Sequence, residues 1–188
     1  MILMLILLAV MLGGYFGVQQ LNQTETVSET EGVFDLTAKT MDDLTGLSWM
    51  QDETAWSFIY QDGAWQTTDT PSWPVDQQTL QDLAEQLVNL QGTRKLEEIT
   101  SPADYGLETP QFSVTATWKD GTSTTYAMGD ATPFADGYYL SLSGRDGTIF
   151  TVATSLLSLF SITQKDVVAL EELPNVTDAE RLTVGHTL

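Results

Sequence analysis

A chain of 188 residues with 42% apolar and 18% charged side chains has the size and composition of one ordinary globular domain, or at most two small ones. Its 26 acidic residues against 7 basic ones give a formal charge of −19, which argues against nucleic acid as a partner and against electrostatic docking on anionic membranes, since both need clustered Lys and Arg. The absence of cysteine excludes disulfides, thiolate zinc sites, cysteine nucleophiles and a lipid-bearing cysteine.

Residues 1–18, MILMLILLAVMLGGYFGV, are uncharged and mostly apolar. As a helix rising ~1.5 Å per residue, such a run covers ~27 Å and just spans a bilayer core, so it is expected to be a transmembrane anchor. A cleaved signal peptide is the rival reading. It fits less well, because no Lys or Arg precedes Lys39 and Tyr15, Phe16 and Val18 stand where small residues are needed for cleavage. Residues 19–32, QQLNQTETVSETEG, are polar, acidic and aperiodic, and are expected to be a solvated tether.

Residues 33–173 read as one extracytoplasmic domain built on hairpins. Trp56, Phe58 and Tyr60 alternate before Asp62-Gly63. Phe112, Val114, Ala116 and Trp118 alternate before Asp120-Gly121, with Thr124, Tyr126 and Met128 following. A third hairpin, GYYLSLSGRDGTIFTV, turns at Asp146-Gly147. Asp-Gly suits a type I′ turn, which needs positive φ at both central residues. Between the first two hairpins, Leu80, Leu83, Ala84, Leu87, Val88 and Leu90 fall on one helical face, with Asp76 as the expected N-cap and Gly92 as the expected C-cap. A shorter helix is expected over 155–160, capped by Thr154. Strand runs interrupted by helices predict an α+β class: an antiparallel hairpin-rich sheet packed against one main amphipathic helix, plus the N-terminal transmembrane helix.

Little in the chain looks like chemistry. There is no nucleophile elbow, phosphate loop, zinc helix or dinucleotide fingerprint. The single histidine, His186, lies in the 174–188 tail, where fraying makes it a poor general base. No catalytic residue, metal or cofactor is assigned. In GDATPFADG, Asp130 and Asp136 are six residues apart and could face one cation, although turn initiation explains them as well. Trp49, Trp56, Trp65 and Trp118 fit strand faces. Trp73 lies between two prolines, and Tyr138 and Tyr139 must point to opposite faces of a strand, so these three are less committed to the core.

At SPADYGLETPQFSVTATWKDG, the run Tyr105-Gly106-Leu107-Glu108-Thr109-Pro110 before an alternating strand resembles the signature of the bacterial family called domain of unknown function 4340. LTGLSW, WSFIYQDGAW, the W-P-V-D helix start, GDATP with the following GYYL, and LFSIT extend the resemblance over roughly residues 33–173. It implies a membrane-anchored bacterial protein with its domain outside the cytoplasm, sometimes in more than one copy, with some relatives accompanying ABC-type transport systems. It implies no catalytic residues. The tail faintly echoes residues 35–49, which suggests the opening of a truncated second repeat. Pro110 and Gly106 shape a reversal from which Tyr105 and Leu107 can clip the loop to the core.

The expected function is therefore a membrane-anchored, noncatalytic binding or accessory module with an envelope or transporter protein as partner. Its candidate surface comprises Trp73, Tyr105, Asp130, Asp136, Tyr138 and Tyr139. A structural spacer or assembly subunit is the alternative, followed by a carboxylate-dependent glycan hydrolase.

Overall fold

A computed structural model describes residues 27–51, 54–68 and 72–169. The strands β1 (Ser28–Asp35), β2 (Leu44–Gln51), β3 (Thr54–Gln61), β4 (Ala64–Thr67), β5 (Gln91–Glu97), β6 (Phe112–Trp118), β7 (Ser123–Ala131), β8 (Gly137–Leu142) and β9 (Ile149–Ala153) form one sheet. Its order is β1-β5-β9-β8-β7-β6-β2-β3-β4, and every pairing is antiparallel. The expected α+β class is thereby corrected. The domain is mainly a nine-stranded sheet, and its helices are small beside it: α1 (Gln77–Val88) and one turn over Leu157–Phe160. No helix among the described residues is long and apolar enough to cross a membrane. Residues 1–18, on which the anchor expectation falls, and the 174–188 tail lie outside the described residues.

Two strands that the apolar pattern conceals enlarge the sheet. β1 starts at Ser28, inside the stretch expected as tether. Its polar sequence is tolerated because nearly all of it is exposed at a sheet edge, where no buried face imposes alternation. β5 starts at Gln91, so Gly92 is a strand residue rather than the helix cap, and a Cβ there would come within 3.2 Å of the Phe150 ring. The helix closes earlier, at Asn89, whose backbone N–H and side-chain amide both donate to the Glu85 carbonyl at 3.2 and 2.8 Å. At the other end Asp76 caps as expected, accepting from the Thr79 N–H at 3.1 Å.

The turn chemistry is also more varied than expected. Only Asp62-Gly63 has positive φ at both residues, 55° and 81°. At Asp120-Gly121 the glycine alone is left-handed. There the Gly121 N–H donates to Trp118 O and the Trp118 N–H to Thr122 O, as in a type I turn closed by a bulge. At Asp146-Gly147 only the glycine again has positive φ. In the β7–β8 turn the left-handed residue is Ala135, not Asp136 or Gly137.

One face of the sheet packs on α1. Leu80, Ala84 and Leu87 are fully buried against a cluster that includes Trp49, Phe58, Trp118, Met128 and Phe150. The Trp49 indole N–H donates to Leu159 O at 2.9 Å, tying the sheet to the Leu157–Phe160 turn. The chain after that turn returns to the start of α1, where the Asp76 N–H donates to Val167 O and the Ala169 N–H to Pro74 O. The opposite face carries a smaller cluster of Leu96, Ile99 and Ile149, against which Tyr105, Leu107 and Tyr139 pack.

The short edge strand β4 is closed by a side chain. Gln77, the first residue of α1, accepts the Trp65 N–H at 2.7 Å and donates to Trp65 O at 2.9 Å, so its amide imitates one residue of a neighbouring strand. Gln77→Ala leaves that half-buried peptide group without either partner and is expected to lower stability by ~1–3 kcal/mol. Gln78→Ala, which loses only an exposed contact with Asp82, is expected to stay within ~0.5 kcal/mol of wild type. Urea unfolding midpoints of the two variants check the contrast, and equal losses would deny Gln77 this role.

Candidate functional site

The YGLETP loop leaves β5 on the face of the smaller cluster and wraps around the end of the sheet where β6 begins, β7 ends and β8 begins. A short 3₁₀ turn, Pro102–Tyr105, ends at Gly106, which has a φ of 69°. A Cβ on Gly106 would stand 2.6 Å from the Asp130 carboxyl carbon. One on Gly129 would stand 2.1 Å from Tyr105 O and 2.9 Å from Leu107 Cγ. The loop and the end of β7 thus touch backbone to backbone, and two glycines make that approach sterically feasible. The Tyr105 ring meets Tyr139 edge to face at 4.9 Å, and Leu107 joins the same cluster. The clip expected of Tyr105 and Leu107 is present, and its seat is the Gly129 backbone.

Beyond this junction the chain forms a cleft of about 440 Å³. Gly106 and Thr109 line it from the loop, Phe112 from β6, Gly129 and Asp130 from β7, Tyr138 from β8, and Leu157 and Ser161 from the C-terminal turn. Asp130 is its one charged lining residue, and no ion pair among the described residues engages it. Tyr138 and Tyr139 do alternate as expected, but neither is left facing solvent. Tyr138 is half-buried against the main cluster, and Tyr139 is half-buried against the smaller one. A second groove, of about 500 Å³, lies between the loop and strands β7 and β8, with Ile99, Leu107, Ser141, Arg145 and Asp146 among its walls.

Asp136 is committed elsewhere. Its carboxylate accepts from the Thr132 hydroxyl and pairs with Arg94 at 3.0 Å, while the same arginine reaches Glu29 at 3.1 Å. Thr132 is buried, donates its backbone N–H to Gly137 O and accepts the Gly137 N–H on its hydroxyl. Asp136 therefore holds the β7–β8 turn, and no group of three or more metal-ligating side chains occurs among the described residues. The Thr132 hydroxyl foremost, assisted by Arg94, holds the Asp136 carboxyl below the usual carboxylate range. Trp73 lies outside the cleft lining and packs edge to face on Phe58 at 5.7 Å as part of the core rim. Of the six candidate residues, Asp130 and Tyr138 line the cleft, Tyr105 and Tyr139 brace it, Asp136 pins the adjoining turn, and Trp73 belongs elsewhere.

Composition alone misses the exposure of Phe134, which stands 85% accessible at the tip of that turn. A signal was available: a large apolar side chain inside a Pro-Phe-Ala-Asp-Gly turn serves no strand face. It also misses Gly129 as the seat of the clip. Its partner, the Tyr105 carbonyl, is a backbone atom that leaves no mark on residue choice.

A model of the family described as domain of unknown function, DUF4340, matches residues 65–183. No curated protein and no solved structure matches the chain.

Two predictions arise from this geometry. Gly129→Ala forces the Tyr105 carbonyl away and is expected to cost ~2–4 kcal/mol. Gly63→Ala, at a left-handed turn residue but in open space, is expected to cost only ~1 kcal/mol. Thermal or urea unfolding separates the two. For Asp136, a folded pKa below the unfolded value of ~4 means that its contribution is complete above pH ~4 and is lost as pH falls through the folded value. Asp136→Asn should lower stability near neutrality and flatten the decline on acidification. An acid limb that the variant leaves unchanged would show that the turn contacts carry no linkage.

Proposed function

We propose, from the premise that this chain belongs to the DUF4340 family, that it is a noncatalytic binding or accessory module and that the cleft lined by Asp130 and Tyr138 is where it grips a protein partner. In this reading the apolar run 1–18 holds it at a membrane, with the domain on the extracytoplasmic side and an envelope or transporter component as the partner.

The observation that carries the reading is the lone carboxylate of Asp130 in a cleft braced by glycine contacts. Its other lining groups are neutral: Thr109, Gln111 and Ser161 are polar, and Phe112, Tyr138 and Leu157 are aromatic or apolar. Such a lining suits a cation on an apolar stem, which a Lys or Arg side chain or an amino terminus of a partner supplies. Rigid walls favour binding, since the loop need not be ordered when the ligand arrives. Catalysis finds less support. The cleft and the opposite groove each hold a single carboxylate, Asp130 and Asp146, whereas glycoside hydrolysis needs two acids facing one bond. A structural spacer is the rival reading, favoured by the covered β4 edge.

A photoreactive residue placed at Tyr138 of the full chain, in its native membrane, tests the proposal. The expected outcome is a discrete protein adduct at that position. It should be lost on Asp130→Asn and absent when the same residue replaces Asp62 at an open turn. No adduct at position 138, or equal adducts at both positions, would leave the spacer reading in its place.

A further inference from the structure

The sheet has two ends, and the described residues cover only one of them. At β4 the Gln77 amide satisfies the Trp65 peptide. At β1 no described residue outside β5 bonds to the strand backbone, so its outward N–H and C=O groups form an open row. Ser28 to Glu31 run in unbroken register against Glu97 to Arg94. The register then shifts between Glu31 and Phe34, which ends the regular stretch. Past the shift, Phe34 packs on Phe150 with ring centroids 6.0 Å apart, so the far end of the strand is held to the core.

Glu29 and Glu31, two residues apart, project from the same face of β1. Glu29 is paired with Arg94, whereas Glu31 takes part in no ion pair among the described residues. We propose that the outer edge of β1 is a strand-addition site for an extended basic segment of a protein partner, carrying Lys or Arg at two alternate positions opposite Glu29 and Glu31.

Charge selects the occupant. A second copy of this chain would set β1 acids against β1 acids in a molecule already at −19, and like charges directly opposite weaken a pair. A basic strand gains on both counts: main-chain bonds supply affinity, and alternate side chains supply specificity. The acidic edge that keeps copies of this chain apart is the same feature that admits a cationic strand. This site is separate from the Asp130 cleft, and either can fail without the other.

The test uses the full chain and a synthetic peptide, acetyl-Lys-Val-Lys-Thr-Lys-Val-amide. Two comparison peptides have Glu in place of Lys, or Pro in place of Val and Thr. Hydrogen exchange followed amide by amide is expected to slow within β1 only with the Lys-Val peptide. Glu31→Lys, an exposed substitution that removes no ion pair, is expected to weaken the peptide about tenfold, and Glu31→Gln by less. Asp62→Asn, at an open turn far along the sheet, should leave peptide affinity unchanged. The proposal is overturned by unslowed β1 amides, by equal binding of the Pro peptide, which would mean charge attraction without strand pairing, or by self-association of the chain through β1.

Discussion

The closing end of the domain depends on a place where backbone meets backbone with no side chain between. Tyr105 O occupies the position that a Cβ on Gly129 would need, and a Cβ on Gly106 would meet the Asp130 carboxyl at 2.6 Å and its backbone nitrogen at 2.8 Å. Such contacts have almost no tolerance, because protein interiors are packed too tightly to absorb even one methyl without displacement. The loop from Pro102 to Pro110 is therefore set by contact rather than by its own conformational preference. Once set, it covers Leu96 and Ile149 with Tyr105 and Leu107, and it supplies one wall of the cleft. The smaller core cluster and the candidate site are two results of the same steric condition.

The two faces of the sheet are stabilised unequally. α1 and the Leu157–Phe160 turn bury a large continuous cluster on one side, and a single loop covers a few residues on the other. β9 lies between both, with Phe150 and Val152 turned to one cluster and Ile149 to the other, and it is buried along four of its five residues. Polar order on the surface is local and modest. Lys39 with Asp120, and Arg94 with Glu29 and Asp136, are exposed pairs, and exposed pairs contribute little each. They pin turns and strand ends, while the stability of the fold comes from burial.

What could be read from residue order was local. The Phe112–Trp118 alternation and the Leu80–Leu87 face lie where periodicity put them, because each of these segments buries one side, and the Trp56–Tyr60 alternation buries Trp56 and Phe58 but leaves Tyr60 exposed. β1 could not be read: Ser28, Glu29, Thr30 and Glu31 bury nothing, and only pairing with β5 makes them a strand. The class was misjudged for the same reason. Counting hairpins and one helix gives no access to strands recruited by long-range pairing, and a sheet of nine strands leaves α1 a minor element. At the site, Tyr105, Asp130 and Tyr138 could be named because aromatic and acidic residues in turns stand out. That Asp136 is spoken for by Thr132 and Arg94 could not be seen, since Arg94 is 42 residues away in the chain.

The strand order also sets a timetable. β2–β3, β3–β4, β6–β7, β7–β8 and β8–β9 pair neighbours in the chain and can close as soon as they are made. The other edge of β2 must wait for β6, since Leu44 pairs opposite Trp118, and β1 must wait for β5. Closing those long loops carries an entropic penalty before any contact repays it, which makes such sheets slow to complete. In a chain that emerges from its amino terminus, the first half of the sheet would stand with an unpaired flank until the β6 hairpin arrives to take it.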